Sequence, residues 1–152
     1  WTEIDFKEGI WTIPAKKTKG KKDKDIVVLS KQAISLLKLQ KKNHNTNTKY
    51  VFSNSKGNKW GVGTLRLVRD DLIGEPYNIR NGKHFFTPHG FRSTCATFLI
   101  DKGYNEAIVK RILNQKVGDK VLEHYDSSKL ISIKREALQK YADYCYPKGY
   151  KR

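Results

Sequence analysis

The sequence predicts an α+β chain, mostly α-helical, with a small antiparallel sheet near its N-terminus. Three observations predict it. Two β-rich runs, residues 10–13 and 26–29, flank a lysine-rich loop. Later stretches repeat apolar residues at spacings of three and four, the period of a helix with one buried face. Those stretches are bounded by capping residues and by Gly or Pro stops.

Taken in order, Ile10, Trp11, Thr12 and Ile13 form one arm of a hairpin, and Ile26, Val27, Val28 and Leu29 form the other. The loop between them holds Lys16, Lys17, Lys19, Lys21, Lys22 and Lys24. A lysine-rich tip is a solvated loop by default, and lysine near a sheet edge discourages strand pairing between molecules. Facing phosphates is the equal alternative in a chain this basic. Ser30 is a candidate N-cap for a helix carrying Ile34, Leu36 and Leu37. Residues 43–49 read as a polar loop, 50–53 as a short extended piece and 56–63 as a turn. A helix over 64–73 is stopped by Gly74 and Pro76, and residues 74–84 read as loop.

The best-marked helix starts in "TPHGFRST", residues 87–94. Thr87 can cap it, and Pro88 suits the first helical position, where no N–H is needed. Phe91, Cys95, Phe98 and Leu99 form its expected apolar stripe, and Gly103 is its expected stop. Asn105 caps the next helix, over 106–115, with Tyr104 and Val109 at the positions of a hydrophobic staple. A short helix is expected over 119–126. A last one begins after Ser127 or Ser128 with the stripe Leu130, Ile133, Ala137, Tyr141 and Tyr144. That stripe would serve packing on its own chain or on a neighbouring protomer equally well. No internal repeat or low-complexity linker divides the 152 residues, so a single domain over 1–152 is expected.

Bulk properties narrow the function. The formal net charge is +16, from 31 Lys and Arg against 15 Asp and Glu, which points to a polyanionic partner, most often nucleic acid. No apolar run approaches the roughly 20 residues of a membrane span, and no segment combines Lys/Arg with Trp/Phe as an interfacial helix does. The N-terminal ten residues have neither the basic start nor the apolar block of a signal peptide. Trp1 stands where an initiator Met would, so a fragment of a longer protein is expected. Cys95 and Cys145 are far apart and lack CxxC spacing, which argues for a reducing compartment and against a zinc site.

Three features could carry chemistry: a hairpin lysine, the pair His89 and Arg92, and Tyr125 in "LEHYDSS". Singly, each has an ordinary structural reading as a solvated charge, a helix edge or a half-buried aromatic. Together they suit phosphodiester chemistry. A tyrosine oxygen can attack phosphorus and form a covalent intermediate. A guanidinium fork suits the non-bridging oxygens that gain charge, and histidine can assist by hydrogen bonding or proton transfer. A lysine can protonate the leaving oxygen. No carboxylate cluster suggests a metal, and positive side chains can supply the electrostatics instead. No cofactor is expected.

Residues 87–126, from "TPHGFRST" through "LNQKVGD" to "LEHYD", resemble the catalytic domain of tyrosine recombinases, the phage integrase family, and are most similar to integrases of satellite phages and genomic islands. The hairpin and the closing "LQKYADY" fit the same pattern, so the resemblance covers nearly the whole chain. It implies the tyrosine recombinase catalytic-domain fold and DNA strand cleavage through a 3′-phosphotyrosyl bond, with integration or excision of a prophage or genomic island as the outcome. Tyr125 matches the nucleophile, Arg92 the second catalytic arginine and His89 the histidine of that motif. Lys19 matches the hairpin lysine, with Lys16 and Lys17 as alternatives, and Lys16, Lys17, Lys21 and Lys22 are expected to contact DNA. Gln115 stands where the family has His or Trp. It can donate a hydrogen bond to a phosphate oxygen but cannot carry charge or shuttle a proton. His124 does not substitute, since neighbours on a helix point about 100° apart. The first catalytic arginine of the family would lie upstream of Trp1. Further implications are duplex attachment sites as substrate, a monomer when free, a homotetramer at synapsis, an excisionase or host DNA-bending protein as helper, and work at the nucleoid in bacterial cytoplasm. A non-cleaving relic, a structural DNA-binding domain with Tyr125 in its core, and a type IB topoisomerase are the competing readings.

Overall fold

The computed structural model describes residues 1–17, 24–43, 48–61, 63–64, 79–80, 83–84, 87–115 and 126–146. The expected helices over 64–73 and 119–126 lie outside the described residues except for Thr64 and Asp126 at their ends, and Lys19, Lys21, Lys22 and Tyr125 lie outside them too. The described part is mostly helical with a three-stranded antiparallel sheet, as expected.

The sheet has the order β1 (Ile4–Asp5), β2 (Ile10–Ile13), β3 (Asp25–Val28). β2 and β3 are the expected hairpin, with Ile10 opposite Val28 and Ile13 opposite Asp25. β1 is an addition to the sequence reading, because two residues are too short to show a period. It is folded back onto β2 by the Asp5 carboxylate, which accepts from the Lys7 and Glu8 amides at 2.9 Å each. Gly9 follows with φ of +64°, and a Cβ there would sit 3.1 Å from Ile34 and 3.3 Å from Arg135. Close approach and a left-handed backbone both require glycine at that position.

α1 (Lys31–Lys42) begins as read, with the Ser30 hydroxyl accepting from the Ala33 amide at 3.2 Å. Residues 50–52, read as a short extended piece, lie outside any strand. Ser53 alone bridges to Lys59 around a turn in which the Asn54 side chain accepts from two amides. The expected loop over 74–84 is also corrected, since β4 (Ile79–Arg80) and β5 (Lys83–His84) pair antiparallel. The residues between them in sequence are Asn81 and Gly82, the dipeptide that most favours a two-residue hairpin connection.

α2 (Pro88–Asp101) carries the Thr87 cap, and its end is a complete Schellman motif. Lys102 is the C-cap, Gly103 takes φ of +82°, and the Gly103 and Tyr104 amides return to the Ile100 and Leu99 carbonyls. α3 (Glu106–Ile112) follows from the Asn105 cap and ends three residues earlier than expected. α4 (Ser127–Cys145) is capped by Asp126, ahead of either serine named from the sequence.

The core sits where α2, α3 and α4 meet. Leu99 and Ala137 are fully buried, with Val109 and Cys95 beside them and Phe98, Tyr104 and Tyr141 around the edge. Cys95 and Cys145 are free thiols, and burial raises the pKa of Cys95 above the ordinary range. Phe91, expected in the stripe, is 56% exposed. It lies about 80° round the helix from Leu99, outside the sector that α3 and α4 cover. α4 packs on its own chain, against α1, α2, α3 and β3. Its Gln139 side chain accepts from the Lys31 amide at 3.0 Å and donates to Gln32 and Asp143 at 2.9 Å, which joins it to the start of α1. Among the described residues no helix is long and apolar enough to cross a membrane.

Because Leu99 is enclosed on all sides, Leu99→Ala should cost about 3 kcal/mol of unfolding free energy. Urea denaturation of the two proteins checks this. A loss below about 1 kcal/mol would mean that the three-helix contact is loosely packed.

Candidate functional site

Arg92 and His89 project from the first turns of α2, a start fixed by local chemistry. The Thr87 hydroxyl accepts from the Gly90 amide at 2.9 Å, and a Cβ on Gly90 would press to 3.2 Å from that oxygen. Glycine between the histidine and the arginine therefore leaves the cap undisturbed. At about 100° per residue, Arg92 points within about 20° of Leu99, two turns nearer the helix start, and His89 lies a further 60° or so round. Arg92 is accordingly half-buried and His89 is exposed.

The buried side of Arg92 meets the end of α3. Its guanidinium donates to the Leu113 carbonyl. Leu113 is the C-cap of α3, where helix carbonyls lack intrahelical partners and a cation is favoured. The turn beyond is again a Schellman motif. Asn114 takes φ of +55°, and the Asn114 and Gln115 amides return to the Arg111 and Lys110 carbonyls at 3.2 and 2.8 Å. Gln115 therefore follows the carbonyl that holds Arg92 by two residues and is exposed. The structure brings Arg92 and the turn of Gln115 together, with His89 on the adjoining face of α2.

The hairpin reaches the same turn. The Asn114 side-chain amide donates to the Asp25 carboxylate at 3.0 Å, at the first residue of β3. A cleft of ≈ 190 Å³ runs between β3, the end of α3 and the first turns of α4, and its lining includes Lys24, Asp25, Arg111, Asn114, Leu130 and Lys134. Asp126 lies one turn before Leu130. Its carboxylate accepts from the Lys129 amide and the Ser128 hydroxyl, both at 2.7 Å, and those bonds hold its pKa below the usual carboxylate range. Tyr125, one residue earlier in the sequence, lies outside the described residues. Asp25, Asn114, Arg111 and Lys134 were not named from the sequence as site residues. Asn114 had a readable signal, an asparagine just past the last apolar positions of a helix.

The described hairpin lysines are placed differently from each other. Lys16 and Lys17 lie in a short 3₁₀ turn after β2, over Ala15–Lys17. Lys17 pairs with Glu3 beside β1, and Glu3 also accepts from the Trp11 indole at 3.2 Å. The Lys17 ammonium, then the indole, hold the Glu3 carboxyl below its usual pKa. Among the described residues no group of His, Cys, Asp and Glu could hold a metal ion.

The sequence profile of the phage integrase family matches residues 1–129. The chain belongs to the phage integrase family. This integrase-family chain is also similar to the crystal structure of XerA recombinase, with a TM-score of 0.61 at 20% identity. That likeness covers 97% of this chain and 50% of the other, so the chain spans half the length of that recombinase, and at this identity the likeness shows the fold. No curated protein matches the chain.

A depressed Glu3 pKa has a defined consequence for stability. The Glu3–Lys17 pair stabilises the folded state above the unfolded carboxyl pKa, and that contribution is lost as pH falls through the lower folded value. Lys17 is more than half exposed, so solvent screening keeps the gain under about 1 kcal/mol. Glu3→Gln should be less stable than the parent near neutral pH, and the gap should close in acid. Thermal melts across pH check this, and a gap independent of pH would contradict the pairing.

Proposed function

We propose that this chain is the catalytic domain of a site-specific DNA recombinase of the integrase type. It cleaves and rejoins DNA through a 3′-phosphotyrosyl intermediate on Tyr125, and so integrates or excises a prophage or genomic island. The observation that carries the reading is the seat of Arg92. One edge of its guanidinium is anchored on the turn that presents Gln115, while the remaining N–H donors of the fork are left for a phosphate.

In this reading a non-bridging phosphate oxygen sits between Arg92 and the Gln115 amide, and His89 borders it. A lysine of the hairpin, Lys19 by sequence match, gives the leaving 5′ oxygen its proton. Lys16, Lys21 and Lys22 hold the DNA backbone. Lys17 contributes less, since its charge faces Glu3. Tyr125 directly precedes Asp126, the cap of α4, in the sequence, and the first turns of α4 line the cleft beside Asn114. A phosphotyrosyl link conserves the energy of the broken bond, so strand exchange needs neither ATP nor metal. The protein is a monomer when free and a homotetramer on paired attachment sites, helped by an excisionase or a host DNA-bending protein. Its place of work is the bacterial nucleoid.

A second reading rests on Gln115. An amide in place of a titratable side chain suits a relic that binds DNA without cutting it. One experiment separates the two. The full-length parent protein is incubated with a pool of nicked duplexes, and covalent complexes are isolated under denaturing conditions. The recombinase reading expects a DNA adduct on the Tyr125 peptide that Tyr125→Phe abolishes while DNA affinity is unchanged. DNA binding with no adduct from the parent establishes the relic. In the active case Gln115→His should raise the cleavage rate about tenfold, a typical share for a well-placed acid–base group being 10²–10⁴-fold or so. No gain in rate would show that glutamine is no handicap there. Binding by either protein should fall steeply with salt, as phosphate contacts require.

A further inference from the structure

Asn114 is, among the described residues, the one non-glycine with a positive φ. A left-handed residue closing a helix is usually glycine, and asparagine is the common substitute. Glycine would meet the backbone requirement with less strain. Asparagine adds an amide, and that amide is used: it donates to the Asp25 carboxylate at 3.0 Å. Asp25 opens β3, pairs across the hairpin with Ile13 and follows Lys24 directly. Leu113, the preceding residue, offers its carbonyl to Arg92, and Gln115, the next one, begins the chain that leads to Tyr125. A single residue therefore touches the base of the lysine hairpin through its side chain. Its backbone sets the turn shared by Arg92 and Gln115.

We propose that Asn114, through its bond to Asp25, is a positioning residue that fixes the hairpin relative to the turn holding Arg92 and Gln115. The inference rests on the recombinase reading for its effect on catalysis, and on the turn geometry alone for its effect on order. In the transition state the leaving oxygen and the non-bridging oxygens belong to one phosphorus. Groups that serve them from different elements must then be held at a fixed separation. The Asn114–Asp25 bond is a direct side-chain link between those two elements.

The test uses the full-length parent protein with Asn114→Gly, Asn114→Asp, Asp25→Asn and the exchanged pair Asp25→Asn/Asn114→Asp. Glycine keeps the left-handed turn and loses the amide. Asparagine and aspartate both tolerate the left-handed region, so the exchange rebuilds the bond with donor and acceptor reversed. Two readouts are taken. One is the single-turnover rate of adduct formation at saturating nicked duplex, beside the Kd for that duplex. The other is amide hydrogen exchange at Gln115, whose N–H is bonded to the Lys110 carbonyl in the turn.

The expected result is that Asn114→Gly slows adduct formation about tenfold with Kd changed less than about twofold, and that the Gln115 amide exchanges faster. The exchanged pair should recover both readouts relative to either single variant. A merely structural role would lower stability and leave the single-turnover rate of the folded, DNA-saturated protein unchanged. The proposal is overturned if Asn114→Gly matches the parent in both readouts, or if the exchanged pair is no better than its singles. If the unsubstituted protein forms no adduct, the recombinase reading fails by itself. The exchange readout then decides the tether: recovered protection in the exchanged pair upholds it, and unchanged protection throughout removes it.

Discussion

Three helices close on Leu99, Val109 and Ala137, and the groups described above as a site are mounted on that contact. Leu99 and Ala137 are sealed from solvent entirely and Val109 nearly so, and the small Ala137 side chain lets α4 come close, so the helix axes are held tightly. The consequence follows from helix geometry. From Leu99 back to Arg92, and from Asn105 forward to Ile112, the chain travels about 10 Å each way. The two Schellman turns make α2 and α3 a short helical hairpin. The end of α3 therefore comes back to the start of α2, and the Leu113 carbonyl arrives at Arg92.

That arrangement gives the arginine an unusual double duty. A guanidinium wholly in water would be mobile, and one wholly buried would need a counter-charge. Arg92 is half-buried, with a helix-terminal carbonyl on its inner edge and solvent on the outer. The carbonyl is an acceptor without a formal charge, so the positive charge stays available to an anion. The hairpin lysines contrast with it. Lys17 is balanced locally by Glu3. In a chain of net charge +16, such local pairing decides which cations face a polyanion. α4 completes the frame on its own chain through Gln139, so its aromatic stripe packs within one molecule, with Phe98 stacked on Tyr144 at 4.7 Å.

Much of this was legible because the chain marks its helices with local chemistry. Ser30, Thr87–Pro88, Asn105 and Gly103 each act within a few residues, and each does in the structure what its type predicts. Misreadings arose where the deciding partner is distant or the element is short. β1 and the β4–β5 pair have two residues per strand, too few for a period, although Asn81–Gly82 was a usable sign. Phe91 looked like core because it is apolar and four residues before Cys95, but whether a neighbour covers that sector depends on α3 and α4. The end of α3 was misplaced because Asn114 was read as helical rather than as a left-handed stop. The pairs Arg92–Leu113 and Asn114–Asp25 join residues 21 and 89 positions apart, which no local pattern encodes.

The central claim is that Arg92 and the Gln115 turn form one phosphate-binding corner. A crystal structure of the protein on a duplex tests it most directly. The account predicts one backbone phosphate with non-bridging oxygens within about 3 Å of both the Arg92 guanidinium and the Gln115 side-chain amide, with the Arg92 bond to Leu113 retained. A duplex bound elsewhere, with solvent alone in that corner, would contradict it.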